Sequence, residues 1–475
     1  MMIEHDILLG RHMDGSYIQF GGGEPVAVHA RTGSGKSADF GIPNCFTWQG
    51  SLVVLDIKGE AFRATAGHRA EMGQDVYLLE PASKVGRSHR WDPFAAVSRR
   101  SLERFRQIAR MGSLQFPEID QIGGGANHNK FWDDAGRQAF KAVATILAES
   151  PYERLTMERV AGIFNQAEGH YWLAQQIDGR RATDEPYSQI AVDGISDYIG
   201  DDPKLRADIR KTVSTRLQIW SDPQLAAVTS GHDFDLRDLR RKPMTIYVVV
   251  APGDIEWLRP LLRLFFDQLI MLNTDATPKQ DPSLRHQVLV MLDEFVRLGR
   301  MDSLAHAAQY TRDYGLRIAY IVQNKAQVNS IYGPNGAADI FSNLGAEIVF
   351  GTNDSDATAD LEARLGDNTV MFTTRNRPRF LSWLYPAKQG ESDHPHRRPL
   401  MLDQEVARMA PDEQLIIRSG MKPMKTNRAR WFIDPHFTTR VRSPPEIPKL
   451  DISIAYDDGA TSMPNRRTPS IKLGH

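Results

Sequence analysis

The segment RTGSGKS, residues 31–37, has the composition of a loop that binds phosphate groups. The usual template is Gly, four arbitrary residues and then Gly-Lys-Ser/Thr. Gly35, Lys36 and Ser37 fit this template, while Ala30 stands in place of its first glycine. Lys36 would contact the β- and γ-phosphates of a nucleotide and take part in catalysis, and Ser37 would ligate magnesium.

Two glycines preserve the loop chemistry despite that replacement. Gly33 and Gly35 can turn the backbone so that its N–H groups and the following helix N-terminus face anionic oxygens. The predicted nucleotide-binding residues are Arg31, Thr32, Gly33, Ser34, Gly35, Lys36 and Ser37. A chance surface loop is the alternative, but the strand-like PVAVHA before the loop and the helix-compatible sequence after it favour a nucleotide site.

An acidic pair follows the apolar run VLVML, where Asp293 and Glu294 end a predicted strand. Ligands of α/β proteins lie at the carboxyl ends of strands. Asp293 would hold the magnesium shell, and Glu294 would polarise an attacking water. The pair could instead be a helix N-cap and a first-turn charge. Together with the loop, Glu294 favours hydrolysis of ATP with Mg²⁺ over transfer to a small-molecule acceptor.

Two further polar residues are catalytic candidates. Gln323 ends the next predicted strand, RIAYIVQN, and could contact both the γ-phosphate and the attacking water. Arg312, on a predicted helix between the acidic pair and Gln323, could reach a neighbouring subunit's nucleotide as an arginine finger. A solvent-facing residue at the end of a strand and a solvated helix charge are the respective alternatives.

The elements that must position these residues are short apolar runs. They are residues 24–30, 50–56, 75–81, 244–252, 287–294, 317–324 and 346–352. Continuous apolar character is typical of parallel strands buried on both faces. Helix-compatible sequence lies between most of them, as in α/β proteins. Residues 95–240 lack a convincing strand, so we expect an all-helical domain inserted there.

The composition excludes several classes of protein. Among 475 residues, 41% are hydrophobic and 25% charged, which is typical of a globular protein of roughly two or three domains. Lys plus Arg (58) balance Asp plus Glu (59), so nucleic acid would be met only by a local surface such as 204–216 or 237–243. Cys45, the single cysteine, excludes a disulfide framework, and no apolar run is long enough to span a membrane.

Several blocks, in order, resemble the type IV secretion coupling proteins, the TraG-like hexamer-forming ATPases. They include DIKGE at 56–60, KFWDDAGRQAF, the stretch from DFDLRDLRRKP to FFDQLI, the block from LDEFVRLG to NSIYG, and RRPLMLDQEVARMAPDEQLII. The resemblance covers roughly residues 7–436. It implies a RecA-like P-loop domain (1–95 and 240–440) and an inserted all-α domain (96–239). The prolines and weak periodicity of residues 441–475 predict a flexible tail.

The resemblance implies the same roles for the residues already named. It places nucleotide binding at residues 33–37, magnesium and hydrolysis at Asp293 and Glu294, and γ-phosphate sensing at Gln323. Arg312 occupies the expected place of the trans-acting arginine. Asp56, Lys58 and Glu60 are expected in an active-site contact, a subunit contact or a structural salt bridge.

The resemblance also implies partners and a location. We expect a homo-hexamer at the cytoplasmic face of the bacterial inner membrane that recruits relaxases, effector proteins and single-stranded DNA for the secretion channel. Family members usually carry N-terminal transmembrane helices, whereas DILLGRHMDGSYIQF resembles the first hairpin of the nucleotide domain. Membrane contact is therefore expected through a missing anchor or a partner protein. The alternatives are a DNA-translocating ATPase similar to FtsK or HerA, and a nucleotide-gated substrate receptor without motor activity.

Overall fold

Apolar runs of the sequence form the centre of a large sheet in the computed structural model. The structure describes residues 6–31, 33–97, 103–117, 126–200, 202–352, 354–375 and 391–452. The strands are β1 (Ile7–Arg11), β2 (Tyr17–Phe20), β3 (Val26–His29), β4 (Ser51–Asp56), β5 (Asp75–Leu79), β6 (Met244–Val249), β7 (Val288–Asp293), β8 (Leu316–Val322), β9 (Ala346–Phe350), β10 (Asp367–Arg375), β11 (Glu391–Pro399), β12 (Glu413–Ile417) and β13 (Met424–Asn427).

Within the described residues, eleven strands form one sheet in the order β2-β1-β13-β12-β9-β3-β8-β7-β4-β6-β5. The seven strands from β9 to β5 run parallel. They correspond to the seven predicted runs, so the prediction of a mostly parallel α/β sheet is confirmed. The β1–β2 hairpin, β12 and β13 extend one edge with antiparallel pairing.

Helices cover both faces of this sheet. They are α1 (Ile42–Thr47), α2 (Glu60–Glu71), α3 (Arg104–Gln115), α4 (Ala126–Glu149), α5 (Met157–Asn165), α6 (Gly169–Arg180), α7 (Gln189–Gly200), α8 (Pro203–Arg216), α9 (Pro223–Val228), α10 (Ile255–Asn273), α11 (Asp302–Tyr310), α12 (Lys325–Ser342), α13 (Ser355–Leu365), α14 (Asp403–Ala407) and α15 (Pro435–Thr438). Alternate residues of β4 enter opposite cores: Val53 belongs to the core that includes residues of α10, and Leu52 to the core that includes residues of α1 and α2.

The predicted helical insertion lies between β5 and β6. The described residues there form α3 to α9 and contain no strand. Their buried side chains continue the core on one face of the sheet, with Phe140 and Trp220 fully buried. An inserted all-α part is therefore confirmed, while its boundaries at 96 and 239 stay a prediction.

The sequence after Gly366, rich in proline and basic residues, predicts a long surface loop, and this prediction is wrong for part of its length. β10 and β11 pair antiparallel from Asp367↔Pro399 to Arg375↔Glu391. This ribbon is held by backbone hydrogen bonds, and those of its side chains that the structure describes are exposed or half-buried, so its sequence lacks the apolar alternation that marks most strands. Residues 376–390 of the predicted loop lie outside the described residues.

The predicted flexible tail is attached to the protein body over its described part, residues 441–452. Ile447 and Leu450 are buried. The N–H of Leu450 donates to the carbonyl of Gly86, and the N–H of Ser88 donates to that of Pro448. These residues therefore pair along the segment after β5, and the remaining tail, 453–475, lies outside the described residues.

Among the described helices, none combines the length and apolar character needed to cross a lipid bilayer.

Candidate functional site

The glycines of the phosphate-binding loop have the backbone conformation that their sequence positions predict. Gly33 and Gly35 have φ angles of 78° and 87°, in the left-handed region that favours glycine. A Cβ on Gly35 would lie 2.9 Å from an Asp39 carboxylate oxygen. The loop follows β3 and leads into a π-helical turn, Ser37–Gly41, that continues as α1. Thr32, another predicted binding residue, lies outside the described residues.

The other loop residues differ in exposure. Arg31 is exposed, and its carbonyl accepts hydrogen bonds from the N–H and Oγ of Ser34 at 3.2 and 2.7 Å. Arg31 also lines a cavity of about 350 Å³ at the carboxyl ends of β3, β8 and β9, together with Gln323 and His29. The loop is thus anchored by its own turn while one side of it borders open space.

The structure brings the loop and the acidic pair together. Lys36 Nζ donates to Glu294 Oε1 at 2.9 Å and lies 3.6 Å from Asp293 Oδ1. Ser37 Oγ donates to Asp293 Oδ2 at 2.8 Å. These four residues lie in the segment after β3 and at the carboxyl end of β7, and the two strands are separated in the sheet only by β8.

Gln323, at the end of the intervening strand β8, completes the cluster. Its Nε2 donates to Glu294 Oε1 at 3.4 Å, and its Oε1 accepts from Gln327 Nε2 at 3.1 Å. A network of hydrogen bonds therefore connects Lys36, Glu294 and Gln323 to the first turn of α12.

The two carboxylates experience different electrostatic environments. Burial raises the pKa of Asp293 above its ordinary value, although Lys36 and the hydrogen bond from Ser37 oppose the shift. The pKa of Glu294 is lowered below its ordinary value. Burial alone would raise it, but the hydrogen bond and charge of Lys36, with the charge of Arg297, outweigh the effect of burial. Glu294 is therefore held ionised.

Asp293 has a carboxylate oxygen, facing Lys36 at 3.6 Å, that could ligate a magnesium ion. Its Oδ1 atom is buried and accepts no hydrogen bond from the described residues, while Oδ2 bonds the Ser37 hydroxyl. A carboxylate and a hydroxyl next to a phosphate loop match the hard oxygen ligands of Mg²⁺. Ser37 and Asp293 therefore fit the predicted ion.

Glu294 has a strained backbone. Its φ of 55° and ψ of 48° lie in the left-handed region, and among the described non-glycine residues it is the one with positive φ. Such a conformation costs of order 1–2 kcal/mol for a residue with a Cβ. The strain ends β7 abruptly and turns the chain into the helical turn Phe295–Leu298.

Two arginines at the site, Arg297 and Arg428, were not predicted from the sequence. Arg297 pairs with the second carboxylate oxygen of Glu294. Arg428, buried after β13, donates from Nη1 to the Ser34 carbonyl at 2.7 Å and lies 3.4 Å from Asp39. Arg297 could have been predicted, because it lies in the segment directly after the acidic pair. No local sequence pattern around Arg428 indicates contact with a loop nearly four hundred residues earlier.

Arg312 lies far from this cluster. It occupies the turn Thr311–Tyr314 before β8, whereas Gln323 follows the carboxyl end of the same strand. Its guanidinium is 65% exposed and donates to Glu24 at 2.8 Å. It therefore cannot serve the nucleotide site of its own chain, and its role toward a neighbouring subunit stays a prediction.

Asp56 ends β4 as a helix cap. Its carboxylate accepts from the backbone N–H groups of Glu60 and Phe62 at 3.1 and 2.9 Å, at the start of α2. Burial raises its pKa to about 6, and the nearby charge of Asp293 adds to the shift. Asp56 thus lies near Asp293, while neither Lys58 nor Glu60 forms a salt bridge among the described residues.

The sequence matches the family described as "Type IV secretory system Conjugative DNA transfer" over residues 4–450. Protein VirD4 of Agrobacterium fabrum is 28% identical over 421 residues, which are 88% of this chain and 60% of that protein. Conjugal transfer protein TraG of Escherichia coli is 24% identical over 467 residues, 90% of this chain and 70% of that protein. This chain therefore spans about 60% of the length of VirD4.

The fold is similar to that of solved structures. Bacterial conjugative coupling protein TrwBdeltaN70, in an unbound form, gives a TM-score of 0.61 at 17% identity, covering 90% of this chain and 91% of that one. Plasmid coupling protein TrwB in complex with ADP and Mg²⁺ gives 0.58 at 16% identity, covering 90% and 87%. The α/β fold with an inserted all-helical part is therefore one already seen in a coupling protein.

Proposed function

Because the chain belongs to the Type IV secretory system conjugative DNA transfer family, we propose that it is the ATP-hydrolysing part of a coupling protein. It binds ATP with Mg²⁺ and uses hydrolysis to deliver a relaxase joined to DNA, or an effector protein, to a secretion channel. The observation that carries the proposal is the convergence of Lys36, Glu294 and Gln323 at the carboxyl ends of parallel strands.

Each residue of the cluster has a chemical role in this proposal. Lys36 leaves Glu294 and binds the β- and γ-phosphate oxygens, and residues 31–37 surround the phosphates with backbone N–H groups. Glu294 then orients and polarises the attacking water, and Gln323 senses the γ-phosphate. Ser37 and Asp293 hold Mg²⁺, which neutralises phosphate charge when bound.

Solved relatives support the choice of ligand. TrwB structures contain a non-hydrolysable ATP analogue, a GTP analogue, or ADP with Mg²⁺. The same phosphate chemistry suits the loop of this chain. The base preference remains a proposal, with ATP as the expected nucleotide.

The assembly and partners belong to the same proposal. The chain forms a homo-hexamer, in which Arg312, exposed and remote from its own site, meets the nucleotide of a neighbour. The inserted domain, residues 96–239, recognises the substrate, and the nucleotide domain comprises 1–95 and 240–440. Membrane contact comes from an anchor or a partner protein.

A turnover assay tests the proposal. Phosphate release from ATP and Mg²⁺ is measured with and without single-stranded DNA for wild type, Lys36→Ala, Glu294→Gln and the control Lys84→Ala, which removes an exposed lysine outside the cluster. We expect turnover in wild type and the control and its loss in the two site variants. Nucleotide binding by the wild type without hydrolysis, even with DNA at concentrations that favour oligomers, would leave a receptor rather than a motor.

A further inference from the structure

We propose that a groove between the helical insertion and α10 binds the phosphate backbone of a single-stranded nucleic acid and transmits its occupancy to Glu294. The junction groove, as we name it, has a volume of about 840 Å³ and is lined by α3, α4, α8 and α10. The inference rests on the proposed function, because it supplies the contact through which DNA would regulate hydrolysis.

Cations with weak or absent counter-charges line the junction groove. Lys211, from the basic segment 204–216, is exposed and has no ion pair in the described structure. Arg259 lies 3.6 Å from Glu256, whose side chain is 87% exposed. Arg263 donates to a backbone carbonyl, and its Nε, like that of Arg259, is buried without an acceptor.

Most of the acidic side chains on the groove walls already pair with a basic side chain. Arg216 is bound by Asp133 at 2.9 Å, so that pair is neutral. Asp208 is the remaining carboxylate besides Glu256. The unsatisfied donors of Arg259 and Arg263 therefore make the α10 wall attractive to an oxyanion, since buried guanidinium N–H groups are costly to leave unpaired.

The aromatic side chain in the lining, Trp132, with Phe131 beside it, favours nucleic acid over an acidic peptide. Trp132 lines the groove and is half-buried, and its ring meets that of Phe131 edge-on at 5.1 Å. Phe131 is 52% exposed. Aromatic rings beside a row of cations are the combination that binds single strands, because bases stack while phosphates pair with the cations.

The α10 wall is in direct contact with the segment that follows the acidic pair. A Cβ on Gly299, whose φ is 74°, would lie 3.2 Å from Arg263 Nη2 and 3.4 Å from Arg259 Cδ. Arg263 Nη2 donates to the Arg300 carbonyl at 2.8 Å. The backbone of residues 299–300 therefore rests on both arginines.

Residues 299–300 follow Glu294 by only a few residues, and contacts within this segment hold it in place. Arg297 pairs with Glu294. Phe295 stacks on Tyr332 with ring centroids 5.6 Å apart, and the Tyr332 hydroxyl accepts from the Met301 N–H at 3.1 Å. A phosphate that draws Arg263 away from the Arg300 carbonyl would shift the same segment that holds the catalytic carboxylate.

Separate variants test binding and coupling. Affinity for a fluorescent oligothymidylate is measured by anisotropy at several salt concentrations, and ATP hydrolysis is measured with and without saturating oligonucleotide. The variants are Lys211→Ala, Arg263→Gln and the control Lys204→Ala, which removes an exposed lysine of the same helix, α8, outside the groove.

We expect Lys211→Ala to weaken binding and to reduce the slope of log affinity against log salt by about 0.7, the value for one lost single-strand phosphate contact. At saturating oligonucleotide its hydrolysis should be stimulated normally. Arg263→Gln should lose most of the ratio of stimulated to unstimulated hydrolysis, and Lys204→Ala should behave as wild type. Thermal unfolding of each variant identifies any loss of folding.

Other outcomes overturn the inference in distinguishable ways. If Lys204→Ala and Lys211→Ala weaken binding equally, the junction groove is not the binding site. If Arg263→Gln is stimulated normally, occupancy of the groove is not transmitted to Glu294 through the α10 wall. The proposed function stands in both cases. If polyglutamate displaces the oligonucleotide from wild type but not from Lys211→Ala, the groove prefers an acidic peptide. A wild type that hydrolyses ATP but neither binds nor responds to DNA contradicts the DNA part of the proposed function itself.

Discussion

Lys36 Nζ and Glu294 Oε1 are 2.9 Å apart, so the loop lysine and the candidate catalytic carboxylate neutralise one another. Arg297 holds the second carboxylate oxygen. Glu294 is thus engaged through both carboxylate oxygens. In the proposed function, phosphate would compete with Glu294 for Lys36, so nucleotide binding would weaken this ion pair.

Glu294→Gln should bind ATP more tightly than wild type and fail to hydrolyse it. The amide removes the negative charge that competes with phosphate for Lys36, which should lower Kd roughly threefold to tenfold, equivalent to about 1 kcal/mol. A fluorescent ATP titration and phosphate release measure the two effects. Arg297→Gln, which keeps the carboxylate, is the control. Weaker ATP binding by Glu294→Gln would mean that the carboxylate supports the loop rather than competing with phosphate.

The left-handed backbone of Glu294 predicts an unusual order of stability. Glu294→Gly should be more stable than Glu294→Ala by about 1 kcal/mol, because glycine adopts a φ of 55° without a steric penalty. Urea unfolding of both variants gives the difference.

A matched pair at Glu256, which is exposed in the first turn of α10, should show the opposite order. There, glycine should be less stable than alanine by about 0.5–1 kcal/mol. If glycine is less stable than alanine at position 294 as well as at position 256, the conformation of Glu294 stores no strain.

The parts of the site that the sequence predicted are those with a local signal. Continuous apolar character reveals strands buried on both faces, and parallel strands place Asp293, Glu294 and Gln323 at one edge whatever the intervening sequence does. Arg428 reaches the loop only through β13, on the added antiparallel edge, and no local pattern encodes that packing. The β10–β11 ribbon was likewise not predicted, because its described side chains are exposed or half-buried and give no apolar alternation.

Arg428 should be needed for the shape of the phosphate loop. Its guanidinium donates to the Ser34 carbonyl at 2.7 Å and stacks 3.7 Å above the Phe350 ring. Arg428→Lys keeps the charge but loses the planar fork and the stacking. We expect ATP affinity to fall by about tenfold, the equivalent of one hydrogen bond to a charged group.

Fluorescent ATP titration measures this loss, and Arg430→Lys is the matched control because Arg430 lies 3.9 Å from Asp39 and has no contact with Ser34 in the described structure. Thermal unfolding separates a loop effect from a global one. Equal losses in the two variants would contradict a specific role of Arg428.

Glu347 should make stability depend on pH in the acidic range. Its carboxylate lies 3.2 Å from His29 Nε2 and pairs with Arg364. Burial raises its pKa, but the hydrogen bonds and charges of His29 and Arg364 outweigh burial and lower that pKa to about 2, from an ordinary 4.5. The unfolded chain therefore takes up the proton first as pH falls.

The stabilisation from Glu347 is complete above pH 4.5 and is lost as pH falls toward 2. The difference in unfolding free energy between wild type and Glu347→Gln should shrink over that window, by on the order of 3 kcal/mol in full. Urea unfolding at successive pH values from 6 downward measures it. Glu446→Gln, at a carboxylate that is 89% exposed, should show the same dependence of unfolding free energy on pH as wild type. If the unfolding free energy of Glu347→Gln also depends on pH as that of wild type does, this buried carboxylate does not link folding to proton binding.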